Sequence, residues 1–255
     1  MPGRLETGVA TFVGALLDLV APAACVACGA VPDGAEFCDR GPRVGGLRPW
    51  DEASLCRACA RLIGPPVSAR LERPGGGQLP VSAAGATGPV VARIIHAWKY
   101  HGLRGLAWPL AARIPCPAGA GAPGAGPVLV PVPLHGRRRR RRGFNQAHML
   151  ACLIGRSSGL PTDPEVLRRR RSTDQQARLD DGPARRRNVD GAFEATAAPP
   201  DPPALLLVDD VVTSGATILA VAAAAVAGGW PVAGVLAVAT SLPSLRPVDT
   251  RGAGF

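Results

Sequence analysis

In this 255-residue chain, two adjacent carboxylates are followed by a hydroxyl-rich turn. This combination of residues is the clearest sign of a ligand-binding site in the sequence. Asp209 and Asp210 follow the apolar run Leu205–Val208, which has the length and composition of a buried strand. The Ala-rich run after Gly215 predicts a helix, so the turn that ends at Thr217 joins a strand to a helix. The free backbone N–H groups and the dipole of a helix N-terminus suit such a turn to hold an anion.

The polar groups of this segment fit a sugar phosphate. Hydroxyl donors in the turn complement the backbone N–H groups, and Gly215 lets the backbone approach the ligand closely. The two carboxylates are expected to accept hydrogen bonds from vicinal sugar hydroxyls or to face a magnesium ion. The alternative is a buried strand that ends in two solvated aspartates beside an ordinary helix cap. The candidate contact residues are Asp209, Asp210, Thr213, Ser214, Gly215, Ala216 and Thr217.

Two other phosphate-binding patterns do not occur in the sequence. No Gly-rich segment ends in Gly-Lys-Ser/Thr, and Lys99 is the only lysine. The sequence therefore excludes a P-loop NTPase. No Gly-x-Gly-x-x-Gly sequence follows a predicted strand and opens a helix, so the dinucleotide-binding fingerprint is absent as well.

Five of the seven cysteines lie in the first sixty residues. Cys25 and Cys28 form one Cys-x-x-Cys knuckle, and Cys56 and Cys59 form a second. Two such knuckles predict a closed, structural zinc site with four thiolate ligands, which a small segment with few large apolar residues needs in order to fold. Cys38 lies between the knuckles and is an alternative ligand. Disulfides and buried free thiols are the other interpretations.

Composition favours a cytoplasmic protein with anionic partners. The 29 basic and 19 acidic residues give a net charge of +10, which suits phosphates, nucleic acid or anionic lipid. Residues 217–240 are uncharged, but Gly228–Pro231 divides them into a helix and a strand, so no membrane insertion is expected. The apolar run 8–17 ends at Asp18 and predicts a short amphipathic helix rather than a signal peptide.

The order of the predicted elements indicates an α/β fold with a mostly parallel sheet flanked by helices. Three regions are expected: an N-terminal helix with the zinc module in 1–70, the α/β domain in 80–242, and a loose tail in 243–255. The predicted strands are 81–86, 128–132, the strand that begins at Leu205, and 232–239; the predicted helices are 89–100, about 145–155 and the run after Gly215.

The segment around Asp209 resembles the phosphoribosyl pyrophosphate (PRPP) signature of the type I phosphoribosyltransferases, which is an apolar strand, two acidic residues and a Thr-Thr/Ser-Gly-x-Thr loop. Further segments resemble the ComF branch of that superfamily, named for a competence protein of DNA uptake. The resemblance extends over roughly residues 20–240, in the family's order. The ComF-like segments are Ile95–Gly102, Val130–His135, Arg142–Ala147, and the series Thr173, Gln176, Leu179, Arg187, Asn188, Ala192 and Phe193.

The resemblance implies a type I phosphoribosyltransferase fold that binds PRPP with Mg²⁺ and transfers the phosphoribosyl group to a nitrogenous acceptor. It implies that Arg142 and Gly143 line the pyrophosphate loop, and that a flexible hood closes over the substrate. The sequence identifies neither the acceptor nor a general base, and it leaves the oligomeric state open. The hood residues are Thr173, Gln176, Arg187 and Asn188.

The ComF resemblance also implies a second function, in which the protein handles DNA during uptake, recombination or repair. The zinc module and the arginines of 137–142 would then bind single-stranded DNA, with the PRPP pocket as a sensor or relic. Alternatively, most of these arginines form a solvated surface run, and the hood is a disordered basic loop. The scarcity of aromatic residues argues against a base-stacking platform.

Overall fold

The computed structural model describes residues 24–31, 55–116, 126–170, 191–243 and 246–247. These residues form two compact units. The first contains the described residues up to Gly64 together with Gly88–Pro109, and the second contains Pro65–Thr87 and the described residues from Leu110 onward. The first unit is therefore built from two separate stretches of chain, whereas the sequence predicts consecutive regions 1–70 and 80–242.

The described helices and strands occur in short groups along the chain. The first unit contains α1 (Arg57–Arg61), α2 (Pro89–Tyr100) and a 3₁₀ turn (Arg104–Leu106), and α3 (Ala107–Ala111) follows. The helices of the second unit are α4 (Gly136–Arg142), α5 (Gln146–Ser158) and α6 (Ala216–Ala227). Its strands are β1 (Val67–Glu72), β2 (Gln78–Ala86), β3 (Val128–Pro131), β4 (Leu167–Arg169), β5 (Phe193–Ala195), β6 (Leu205–Val212), β7 (Val232–Thr240) and β8 (Arg246–Pro247).

Six strands form one mixed sheet in the order β3-β6-β7-β2-β1-β8. The pairs β3–β6, β6–β7 and β7–β2 are parallel, and β1 pairs antiparallel with both β2 and β8. The predicted α/β class with a mostly parallel sheet is confirmed. Strands β4 and β5 form a separate antiparallel pair.

The core of the second unit includes β6, one of the two inner strands of the parallel part. Leu205–Val208 are all buried, which is typical of a parallel strand covered on both faces. Helix α5 packs against β3 and β6, and α6 packs against β5, β6 and β7. The side chain of Asn145 caps α5 by accepting a hydrogen bond from the Ala147 amide at 3.1 Å, and Gly159, with φ of 75°, ends the same helix.

Three features differ from the sequence-based expectations. Strand β1 was not expected; its alternating burial and its pairing with β2 make it part of the sheet. The arginine run, expected as a turn, forms helix α4, because arginine is a good helix former and Gly143 ends the run. Residues 246–247 of the expected tail pair with β1. Among the described residues, no helix has the length and apolar character needed to cross a membrane.

Candidate ligand-binding edge and metal centre

Asp209 and Asp210 lie within β6 rather than beyond its end. The strand continues to Val212 because it remains paired with β7, where Val211 is opposite Ala239. Both aspartates are half-buried, and Oδ1 of Asp209 accepts a hydrogen bond from the Asp210 amide at 2.8 Å. Consecutive residues of a strand point to opposite faces of the sheet. A single ligand can therefore contact both carboxylates only near the carboxyl end of the strand.

The turn after β6 leads directly into a helix N-terminus. Thr213 and Ser214 are exposed, and Gly215 has φ of 73° and precedes the 12-residue helix α6. No side chain caps this helix, and its first turn contains no acidic residue. The first N–H groups of α6 have no partner within the helix, and no carboxylate of its own first turn offsets the helix dipole. This turn is therefore suited to an anion.

Gly215 is also required by packing. A Cβ atom at this position would lie 2.2 Å from Cδ2 and 2.9 Å from Cδ1 of Leu71. Leu71 is buried in β1, opposite Leu79 of β2. A larger residue at this position would therefore require the buried side chain of Leu71 or the turn itself to move.

Arg142 and Gly143 follow β3, the parallel neighbour of β6. Pro131 of β3 is opposite Val208 of β6, so the connections after both strands begin at the same edge of the sheet. Nη1 of the half-buried Arg142 donates to Oε1 of Gln146 at 3.3 Å, and Gly143 is exposed with φ of 76°. The structure therefore brings the predicted pyrophosphate segment and the predicted phosphate turn to one edge.

Arg169 of β4 adds positive charge near Asp209, a relation that sequence analysis did not predict. Burial and the nearby charge of Arg138 lower the pKa of Arg169 to about 10, and the charge of Asp209 opposes this shift. The guanidinium carbon of Arg169 lies 5.0 Å from the centre of the Phe193 ring. In the sequence, the only indication that Arg169 could belong to the site is its position in a run of four arginines. Its proximity to Asp209 depends on the fold.

The predicted hood residues Thr173, Gln176, Arg187 and Asn188 lie outside the described residues. The two described strands that flank this stretch, β4 and β5, pair with each other, with Arg169 opposite Phe193. The stretch between them therefore begins and ends at neighbouring points of the second unit.

In the first unit, Cys25, Cys28, Cys56 and Cys59 bring their sulfur atoms within 4.8 Å of one another. The Cys28 and Cys56 sulfurs are 3.9 Å apart, close to the about 3.8 Å that tetrahedral Zn–S bonds of about 2.3 Å require. The amide of Cys56 donates to the Cys25 sulfur at 3.5 Å, and the amide of Cys59 donates to the Cys56 sulfur at 3.4 Å. This geometry is compatible with a structural zinc site.

Two of these thiols have pKa values that are shifted in opposite directions. Burial opposes ionisation of Cys25, but hydrogen bonds from the amides of Cys56, Ala27 and Cys28 outweigh it and lower its pKa to about 7. Burial, hydrogen bonds with the other three sulfurs and the charge of Cys25 raise the pKa of Cys59. All six described cysteines are free thiols, and Cys38 lies outside the described residues. A divalent cation would compensate the charge of four thiolates.

No protein-family model matches this chain, and no curated protein matches it. The features that bear on function are the geometry of the sheet edge, the four-cysteine group and the motif resemblance. These observations define an α/β protein with a candidate anion site and a candidate structural metal site.

Proposed function

We propose that this chain is a ComF-like protein with a type I phosphoribosyltransferase fold that binds PRPP with Mg²⁺. The observation that carries this proposal is the β6–α6 connection, where Asp209 and Asp210 precede an exposed Thr-Ser pair and an uncapped helix N-terminus. Helix α4, which follows the neighbouring strand β3, contains the arginines proposed to meet the second phosphate group. A sugar with phosphates at both ends requires anion sites on both sides of a hydroxyl-binding centre, and the proposal assigns the β6–α6 turn to one and the arginines to the other.

Each segment has a role in the proposed complex. The backbone N–H groups of Ala216 and Thr217, with the hydroxyls of Thr213 and Ser214, bind the 5-phosphate. The carboxylates of Asp209 and Asp210 accept hydrogen bonds from the ribose hydroxyls. Arg142 and the Gly143 backbone bind the pyrophosphate.

The oxygen donors at this edge fit a hard cation. Carboxylates are the protein ligands that Mg²⁺ prefers, and Mg²⁺ usually binds through one or two of them together with substrate phosphates. When bound, the ion neutralises charge on the pyrophosphate. Asp209, Asp210 and the substrate would hold it.

The proposed reaction is transfer of the phosphoribosyl group to a nitrogen nucleophile. The nitrogen lone pair attacks the anomeric carbon, and the bond to pyrophosphate breaks with its electrons on the leaving group. Asp209 and Asp210 hold the ribose as positive charge develops on the ring, and the arginines stabilise the departing anion. The four-cysteine site has a structural role, since all its ligands come from the protein. Its free thiols fit a cytoplasmic location.

A second candidate function, binding of single-stranded DNA, is favoured by the net charge of +10 and by the exposed Arg139 and Arg140 on α4. Its signature is DNA binding that weakens steeply as salt increases. Such binding should persist in Asp209→Asn/Asp210→Asn and be lost when the arginines of 137–142 are replaced by alanine.

Calorimetric titration of PRPP in the presence of Mg²⁺ tests the main proposal. The wild type should bind with a dissociation constant on the order of 1 μM, or about −8 kcal/mol, and Asp209→Asn/Asp210→Asn should lose this binding. Glu72→Gln, an exposed carboxylate change in β1, is the matched control and should bind like the wild type. A folded, zinc-loaded wild type that does not bind PRPP would overturn the proposal and leave DNA binding as the better candidate.

A further inference from the structure

The four cysteines of the candidate metal centre differ in their access to solvent. Cys25, Cys56 and Cys59 are buried, whereas Cys28 is exposed. The Cys28 sulfur lies 3.9 Å from the Cys56 sulfur, so the exposed thiol and a buried thiol are direct neighbours. A small reagent that arrives from solvent therefore meets the Cys28 sulfur first.

Hydrogen bonding also distinguishes the sulfurs. The amide of Cys56 donates to the Cys25 sulfur at 3.5 Å, and the amide of Cys59 donates to the Cys56 sulfur at 3.4 Å. Such hydrogen bonds stabilise a thiolate and thereby lower its nucleophilicity. A thiol that coordinates zinc is deprotonated, and the thiolate is the form that reacts with oxidants. In the zinc-loaded group, access and nucleophilicity thus both favour reaction at Cys28.

The Cys56 sulfur is positioned to complete an oxidation that begins at Cys28. An oxidised cysteine condenses with a nearby thiol to form a disulfide, and redox-sensing cysteines are often next to such a partner. The two sulfurs are 3.9 Å apart, and a disulfide bond is about 2.0 Å long, so their side chains must approach by about 2 Å. The two residues belong to different knuckles, so this disulfide would remove one metal ligand from each.

We propose that Cys28 is an oxidation site that controls zinc release, with a peroxide as the oxidant and Cys56 as the resolving residue. The Cys28 thiolate attacks one peroxide oxygen, and the O–O bond breaks with its electrons on the other oxygen. That oxygen takes a proton and leaves as an alcohol, or as water from hydrogen peroxide, and Cys28 becomes a sulfenic acid. The Cys56 thiolate then attacks the Cys28 sulfur, and the hydroxyl group takes a second proton and leaves as water. Two electrons pass from the two sulfurs to the peroxide.

The disulfide would leave only the thiolates of Cys25 and Cys59 for the metal. Structural zinc sites use four protein ligands, so the ion dissociates when two of them are lost. Because metal binding contributes to the folding of small modules, oxidation would also destabilise the first unit. Reduction of the disulfide would restore the ligands. This inference depends on the fit of the four cysteines to zinc and is independent of PRPP binding.

Treatment of the zinc-loaded full chain with hydrogen peroxide tests the proposal, with a chromogenic chelator to measure released zinc. After the remaining thiols are blocked, trypsin separates Cys56 from Cys59, because Arg57 lies between them. Cys25 and Cys28 remain in one tryptic peptide, and fragmentation in the mass spectrometer distinguishes them. Zinc release should accompany a Cys28–Cys56 disulfide. Dithiothreitol with added zinc should restore the thiols and the bound metal.

Two variants separate the exposed thiol from other cysteines. Cys28→His keeps a zinc ligand at this position but removes the oxidisable thiol, so it should bind zinc and lose the release induced by peroxide. Cys152→Ser is the matched control, because it removes a half-buried free thiol of the second unit. It should release zinc like the wild type. Zinc content before treatment establishes that each variant is loaded.

Three results would overturn the proposal. The first is zinc that stays bound under peroxide that oxidises Cys152, and the second is zinc release with a disulfide between any other pair of cysteines or with none. The third is equal release from the wild type and a zinc-loaded Cys28→His. If Cys28→His does not bind zinc, the position of the disulfide in the wild type decides.

Discussion

Replacing Gly215 with alanine should destabilise the second unit for two separable reasons. The residue has φ of 73°, a left-handed conformation that costs a residue with a Cβ about 1–2 kcal/mol. The added methyl would also lie 2.2 Å from Cδ2 of the buried Leu71. Overpacking of this kind typically costs about 1–3 kcal/mol, so the total loss should be about 2–5 kcal/mol.

Gly159 provides a matched control for the backbone contribution. It ends α5 with φ of 75°, and a Cβ there would meet no atom within 4 Å. Gly159→Ala should therefore cost only about 1–2 kcal/mol, all of it from backbone conformation. The difference between the two alanine variants measures the contact with Leu71.

The assay is urea unfolding of the zinc-loaded protein, followed by circular dichroism and tryptophan fluorescence. A double-mutant cycle with Leu71→Ala should show a coupling of about 1–3 kcal/mol, because the smaller side chain leaves room for the new methyl. Equal losses in Gly215→Ala and Gly159→Ala, together with additive effects in the cycle, would refute the packing argument.

Three further predictions concern the metal centre and the core. Elemental analysis should find one zinc per chain, lost in Cys56→Ser and retained in Cys152→Ser; retention in Cys56→Ser would contradict the site. Zinc binds thiolates in competition with protons, and amide hydrogen bonds lower the pKa of Cys25 from 9.0 to about 7. Zinc affinity should therefore decrease as the pH falls through about 7, and an affinity that does not change with pH would contradict this. Trp230→Phe should cost about 1–3 kcal/mol in thermal unfolding, because it removes the 2.8 Å hydrogen bond to the Thr196 carbonyl and buried ring area; an unchanged midpoint would contradict this.

The elements best predicted from the sequence are those with a strong local signal of their own. The apolar run at Leu205 and the Pro89–Tyr100 helix contain their own signals, a continuous hydrophobic strand and a proline at the first helical turn. Strand β1 is different, because it becomes part of the sheet by pairing with β2, a tertiary contact. Helix α4 differs from the predicted turn because the helix propensity of arginine outweighs the charge repulsion within the run.

The candidate sites also contain features that the sequence predicts and features that depend on tertiary contacts. The spacing of the cysteines predicts their grouping, and the structure confirms that the two knuckles come together. The conformation of Gly215 agrees with the predicted turn, but its contact with Leu71 could not be predicted from residues so distant in sequence. The relation between Arg169 and Asp209 likewise depends on the fold, because the two residues are distant in sequence.

A crystal structure of the zinc-loaded protein with PRPP and Mg²⁺ would show where the sugar phosphate binds. We expect the 5-phosphate within hydrogen-bonding distance of the Ala216 and Thr217 amides, with the ribose hydroxyls on Asp209 or Asp210. A complex in which PRPP binds elsewhere, with no ligand at the β6–α6 turn, would contradict this expectation.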